Sequence, residues 1–322
     1  MSGPLLEVRH LSTHYVSARG TRVTRAVDDV SLTLDEGETL GIVGESGSGK
    51  TTLAVSLLRL LPPAGRIVSG EIRFEGDDLL RKSNAEMRRI RGKRIAMILQ
   101  DPMASLNPLF TVGDQVAEPL RVHEGASRGS AWSRALDLLK AVRISAPEMR
   151  VREYPHQMSG GMRQRIVGAI AISCEPRLLI ADEPTTSLDL TIQAQYLNLL
   201  RDLQRAHNLA LIFITHNLGI VAKMCDQVAV MYGGRLVESG PIAQIYNAPA
   251  HPYTRALLES IPRLADSRKR LTAIDGQPPD PAALPGGCAF HPRCPKVMDR
   301  CRVEAPPESM VATSHTSRCW LS

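Results

Sequence analysis

Apolar residues fall into two kinds of pattern along this chain, and together they predict an alternation of strands and helices. Residues 5–9 and 29–34 alternate and predict short strands at the start of a sheet. Thr39–Val43 is a compact apolar run that ends in a glycine-rich turn. Beyond that turn Leu53, Leu57, Leu58 and Leu61 recur on one helical face, with Pro62–Pro63 as the stop. Ile95–Leu99 is a further apolar run and stops at Gln100. Residues 112–145 predict mainly helix with polar faces. A second helix follows Ser159, with Ile166, Val167, Ile170, Ala171 and Cys174 on one stripe. Leu178–Ala181 and Leu211–Ile214 are apolar throughout, as strands buried on both faces of a parallel sheet are. Val228–Met231 and Arg235–Glu238 flank Gly233–Gly234, which signals a hairpin.

The texture changes after about residue 248. Of the 22 prolines, 11 lie between Pro249 and Pro307, a density that excludes a helical core and predicts a segment winding over the surface. A domain boundary is expected near residue 262, giving residues 1–262 and a C-terminal extension, 263–322. No internal repeat is present.

Composition narrows the class. In 322 residues, 43% hydrophobic and 22% charged content matches a soluble globular protein with a sizeable core. Aromatics are 4%, so Leu, Ile, Val and Ala must fill that core. No stretch of 18 apolar residues predicts a membrane-spanning helix, and Glu7 and Arg9 argue against a secretory signal. Any work at a membrane would depend on partners. The net charge of +6 admits an anionic partner. The basic residues are scattered in short runs such as Arg88–Arg94 and Arg268–Arg270, which read as solvated faces rather than a nucleic-acid site.

Gly44-Glu45-Ser46-Gly47-Ser48-Gly49-Lys50-Thr51 fits G-x-x-x-x-G-K-[ST], with a strand before it and a helix after it. Its glycines let successive N–H groups curl around an anion, and the helix N-terminus adds a positive dipole end. Lys50 reaches the β- and γ-phosphates of a nucleotide in such a loop, and the Thr51 hydroxyl ligates Mg²⁺; Thr52 follows within the same binding segment. Leu178–Ala181 runs straight into Asp182 and Glu183, and carboxylates are costly to bury without a task. In a nucleotide site Asp182 would orient Mg²⁺ or its waters and Glu183 would polarise the attacking water. A helix-capping turn is the structural alternative.

At this point the chain resembles the ATP-binding cassette (ABC) ATPases. Met158-Ser159-Gly160-Gly161-Met162 resembles their Leu-Ser-Gly-Gly-Gln signature, with Met at 158 and 162 and the Ser159-Gly160-Gly161 centre intact. Gln100 resembles the glutamine that senses Mg²⁺ and attacking water. Ser187-Leu188-Asp189 resembles the loop that crosses the dimer interface, and His216, 33 positions after Glu183, the histidine that contacts the γ-phosphate. Tyr15 resembles the aromatic that stacks on adenine. The resemblance covers about residues 5–250. It implies an α/β fold: a phosphate-loop core of mostly parallel sheet with helices, an antiparallel β subdomain and a helical subdomain. It also implies that two such domains enclose two ATP molecules, the Gly44–Thr51 loop of one facing the Ser159–Gly161 loop of the other.

Gln100-Asp101-Pro102-Met103-Ala104-Ser105-Leu106-Asn107-Pro108 and His251-Pro252-Tyr253-Thr254 resemble the dipeptide/oligopeptide importer branch. That likeness implies an ATPase subunit lying peripherally on the cytoplasmic face of the cell membrane. It would dock on two transmembrane permease subunits through roughly residues 101–125 and pair with a related but different ATPase subunit. An extracytoplasmic solute-binding protein would act through the permease. Other cargo (nickel, antimicrobial peptides, opines) and a soluble ABC ATPase are the alternatives. Cys174 reads as core and Cys225 is uninformative, whereas Cys288-x5-Cys294-x6-Cys301-x17-Cys319 places four thiols in a short tail. Cytosolic chains seldom hold structural disulfides, so this spacing suggests zinc or a [4Fe–4S] cluster; spacing alone leaves both open, with unligated thiols as the third option. The similar tails of peptide-importer ATPases imply the iron–sulfur cluster, as a staple for a tail poor in core residues.

Overall fold

The computed structural model describes residues 3–186, 188–261 and 274–322. The chain divides into two compact units, one of Met1–Asp35, Thr39–Leu80 and Phe213–Ser322, the other of Glu36–Glu38 and Arg81–Ile212.

The first unit contains an antiparallel sheet in the order Val23–Leu34, Leu6–Val16, Gly65–Phe74, Asp77–Asp78. Its inward face carries Leu6, Val8, Leu11, Val27, Val30, Leu34, Ile72 and Phe74, all buried. These strands are longer than the alternating stretches at 5–9 and 29–34 predict. Register shifts along Leu6–Val16 break the two-residue period, so the outer halves carry no clean signal.

The first unit also holds the strand Thr39–Val43, fully buried and parallel to Gln227–Tyr232. Arg235–Pro241 pairs antiparallel with Gln227–Tyr232, and the turn between them uses Gly233 (φ 55°) and Gly234 (φ 83°), both in the left-handed region. Helix Lys50–Leu57 buries Leu53 and Leu57, with Leu58 as its C-cap. It stops a turn earlier than the proline pair suggests, and Leu61 lies beyond it.

The proline-rich tail is more than a surface wrapping, contrary to the sequence expectation. His315–Ser317 pairs with Arg235–Pro241 and Ser309–Ala312 pairs in turn with His315–Ser317, so the tail extends a sheet. Phe290 is buried against Tyr232 and Tyr253, with ring centroids 5.3 Å from each. Glu238, fully buried, accepts hydrogen bonds from the backbone N–H of Ala250 (2.7 Å) and His251 (3.0 Å) and meets His315 Nε2 at 2.8 Å. The tail thus has a core of its own making, supplied by single residues that no periodicity announces. The domain boundary expected at 262 and the basic run Arg268–Arg270 lie outside the described residues.

The second unit is largely helical around two parallel strands, Ile95–Ile98 and Leu178–Asp182, paired from Ile95↔Leu178 to Ile98↔Ala181. Its helices include Asn84–Ile90, Val112–Glu124, Arg128–Ala141, Gly160–Ile172 and Leu190–His207. Caps delimit them: Ser83 and Glu86 form a capping box, Thr111 accepts from the Asp114 N–H, and Gly125 (φ 66°) ends Val112–Glu124. Strand Ala210–Thr215 is buried at every position, and the division between the two units falls within it. Among the described residues no helix is long and apolar enough to cross a membrane.

His251 caps helix Pro252–Glu259 through Nδ1, which accepts from the Tyr253 N–H at 3.0 Å. Burial pushes its imidazole down to about 4. A depressed histidine contributes stability that is present above its unfolded value, about 6.5, and is lost as pH falls towards its folded value. Stability should therefore fall by up to about 3 kcal/mol between pH 6.5 and 4 from this group. His251→Asn, which keeps a capping oxygen, should flatten that part of the curve in denaturant titrations run across the same pH range.

Candidate active site

The loop between Thr39–Val43 and Lys50–Leu57 is shaped by backbone demands. Gly49 caps the helix at φ 105°, and a Cβ there would lie 2.0 Å from the Ala26 carbonyl oxygen. A Cβ on Gly44 would lie 2.2 Å from the Met231 carbonyl oxygen. Both sites exclude every residue but glycine. The result is a tight arch whose own carbonyls hold its lysine: Lys50 Nζ donates to Gly44 O at 2.8 Å and Glu45 O at 2.9 Å, and lies 3.4 Å from Ser48 Oγ. The Ser48 N–H donates to Glu45 O (3.2 Å), and Gly234 N–H donates to Ser48 O (3.0 Å), tying the arch to the hairpin turn.

Two further features of the first unit bear on this loop. Tyr15 Oη lies 3.4 Å from Thr52 Oγ1, so the expected adenine-stacking residue stands beside the helix that the loop opens. Glu45, the second residue of the loop, is gripped from the tail. Its N–H donates to Tyr253 Oη at 2.9 Å, and its carboxylate takes both arms of Arg293 at 2.6 and 3.0 Å. That carboxylate raises the already high pKa of the guanidinium, so Arg293 is fixed as a cation. His216 lies exposed just past strand Ala210–Thr215, before Asn217, whose side chain caps helix Leu218–Met224 by accepting from Ile220 N–H at 3.3 Å.

In the second unit, strand Leu178–Asp182 delivers a buried Asp182 at its end, and Glu183 follows with a left-handed φ of 46°. That conformation costs a non-glycine residue on the order of 1–3 kcal/mol and is typical of functional positions. Glu183 Oε2 accepts from Thr186 Oγ1 (2.8 Å) and from Gln100 Nε2 (3.4 Å), so two residues expected to act on water stand together. Ser159 caps helix Gly160–Ile172, its Oγ accepting from Met162 N–H at 3.3 Å. Gly161 passes Ile192 so closely that a Cβ would lie 2.7 Å from Cγ2. Asp189 caps Leu190–His207 by accepting from the N–H of Thr191 (3.1 Å) and Ile192 (3.0 Å), which gives its carboxylate a structural task. Ser187, expected to begin the loop at Ser187–Asp189, lies outside the described residues.

The four tail cysteines, Cys288, Cys294, Cys301 and Cys319, line one pocket of the first unit together with Phe290, Pro306 and Trp320. All are free thiols, and burial pushes Cys288 up to about 11. Among the described residues no group of three or more His, Cys, Asp or Glu is arranged to hold a metal ion. The spacing-based expectation of zinc or a cluster therefore meets convergent thiols but no ready coordination sphere for a single ion. Cys174 and Cys225 are buried, and burial raises both thiols, in keeping with core packing.

Arg293 and Tyr253 were not legible as site residues. Tyr253 sits in a motif with no role attached, and Arg293 is one of 39 basic residues, separated from Glu45 by 248 positions.

Comparison with known proteins identifies the family. The family model described as ABC transporter matches residues 27–186, and that of the oligopeptide/dipeptide transporter C-terminal region matches residues 237–301. A probable peptide ABC transporter ATP-binding protein of Sinorhizobium fredii is 49% identical over 320 residues, 99% of this chain and 95% of that protein. The dipeptide transport ATP-binding protein of Escherichia coli (strain K12) is 47% identical over 315 residues, 98% of this chain and 96% of that one. The oligopeptide transport ATP-binding protein of Haemophilus influenzae is 46% identical over 319 residues, 99% and 98%. Among solved structures, a dimeric ATP-binding cassette in a post-hydrolysis state bound to ADP and Pi matches with a TM-score of 0.66 at 26% identity, covering 74% of this chain and 98% of that one. With likeness running from the phosphate loop through the tail, the chain belongs to the ABC transporter family, among its dipeptide and oligopeptide transport ATP-binding proteins, and is an ABC-type ATPase.

Proposed function

We propose that this chain is the subunit whose ATP hydrolysis drives import of dipeptides or oligopeptides, working peripherally on the cytoplasmic face of the cell membrane. The observation that carries the reading is identity of 46–49% with peptide-transport ATP-binding proteins over nearly the whole chain, tail included.

In this reading the N–H groups of Gly44–Thr51 and the Lys50 ammonium hold the β- and γ-phosphates, with Thr52 beside them and Tyr15 against the adenine. Thr51, Asp182 and Gln100 offer hydroxyl, carboxylate and amide oxygens, the hard donors Mg²⁺ prefers. The bound ion would neutralise charge on the phosphates. Glu183 accepts a proton from the attacking water, Gln100 aligns that water, and His216 contacts the γ-phosphate. Ser159, Gly160 and Gly161 present a second anion-recognising helix start to the nucleotide of an opposing ATPase subunit, with Asp189 at the interface. That opposing subunit is a related but different chain.

Two permease subunits dock on the helical unit, and a solute-binding protein acts through them. Support comes from a cleft of about 530 Å³ lined by Leu99, Ala104, Pro119, Val122, Ile170 and Ala171, with Met103, Leu109 and Phe110 exposed on the same unit. The four-cysteine pocket holds a [4Fe–4S] cluster as a staple for the tail. Convergence of four soft thiol donors favours it. A single zinc ion bound by the same four thiols is the alternative.

Glu183→Gln should lower kcat by about 100-fold or more while nucleotide binding persists, measured by phosphate release and nucleotide titration. Unchanged hydrolysis would remove Glu183 from its role. Anaerobically purified protein should contain about four irons and absorb in the visible thiolate-to-iron band. One equivalent of zinc without iron would overturn the cluster.

A further inference from the structure

The grip of the tail on Glu45 is more elaborate than an anchor requires. Arg293 has five N–H donors, and every one is engaged. Two arms hold the Glu45 carboxylate at 2.6 and 3.0 Å, a third group donates to Tyr232 Oη at 3.3 Å, and the remaining two reach the carbonyls of Asp275 (2.9 Å) and Ile274 (3.3 Å). The Arg293 side chain is 4% exposed and that of Glu45 25%, so this ion pair is less screened than those at the surface. Tyr253 Oη receives the Glu45 N–H at 2.9 Å from the other side. Glu45 also contributes the carbonyl that Lys50 Nζ holds at 2.9 Å. The residue that the tail grips by N–H and carboxylate is therefore the one whose carbonyl helps place the phosphate-binding lysine.

We infer that the C-terminal tail is a working part of the nucleotide site: Arg293, acting through Glu45 and aided by Tyr253, is a positioning residue that fixes where the phosphate loop begins. The inference rests on the reading that Gly44–Thr51 holds the triphosphate. A bidentate, buried fork is a directional constraint that a lysine cannot reproduce. Losing it frees the loop to drift, and the entropy of ordering it is then paid on binding.

The test is nucleotide affinity of the full-length protein, measured with a fluorescent ATP analogue, together with KM and kcat for ATP. Arg293→Ala should weaken binding and raise KM about ten-fold with kcat within about two-fold. Glu45→Gln, which keeps the N–H bond to Tyr253, should weaken binding to a similar degree. The double variant should be no worse than either single one, because both remove the same contact. Arg22→Ala breaks a different tail ion pair, the exposed one to Asp280, and should leave affinity unchanged. Wild-type affinity in Arg293→Ala or Glu45→Gln, multiplicative losses in the double variant, or an equal loss in Arg22→Ala would each overturn the inference. Lys50→Ala separates the two levels. If it binds nucleotide normally, the loop reading itself fails; if it loses binding while Arg293→Ala does not, only the inference fails.

Discussion

The structure depends on one constraint: a buried strand must turn into a helix within a loop too tight for side chains at its ends. Gly44 and Gly49 meet the carbonyls of Met231 and Ala26 at distances no Cβ tolerates. This close approach ties three segments together, since Ala26 belongs to the antiparallel sheet and Met231 to the neighbouring parallel strand. The helix start at Lys50 then points a set of amides and a positive dipole end into the arch. Everything assigned to phosphate binding follows from that local geometry, and little of it from side-chain chemistry other than that of Lys50 and Thr51.

The groups proposed for hydrolysis lie in the second unit, at the end of one of its strands. Asp182 is the last residue of a wholly apolar strand, and Glu183 occupies a left-handed conformation held by Thr186 and met by Gln100. A strained carboxylate beside an amide donor suits the proposed role of holding one water molecule. Ser159 and Asp189 both cap helices, which shows how one oxygen can serve the fold while lying in a loop assigned to a partner's nucleotide.

The core strands and the phosphate loop were legible because their signals are contiguous. Leu178–Ala181 and Leu211–Ile214 are unbroken apolar runs, and Gly233–Gly234 sits where two positive φ values are required. The tail reads as surface wrapping in the sequence because its core is assembled from isolated residues. Phe290 joins Tyr232 and Tyr253, and His315 reaches Glu238 across 77 positions, pairings that leave no period in the sequence. Helix Lys50–Leu57 ended early because Arg59 takes a left-handed φ of 51° before the prolines are reached. The likeness to peptide-transport proteins pointed to His251–Thr254 without saying what it does; in the fold it delivers a hydroxyl to the phosphate loop.

The central claim is that the backbone of Gly44–Thr51 is where the triphosphate is held. Amide hydrogen exchange over these residues, with and without Mg-ATP, addresses it directly. Exchange at Ser46 through Thr51 should slow when Mg-ATP is added, by more than any change in the Leu6–Val16 sheet. Unchanged exchange across the loop in protein that is hydrolysing ATP would contradict it.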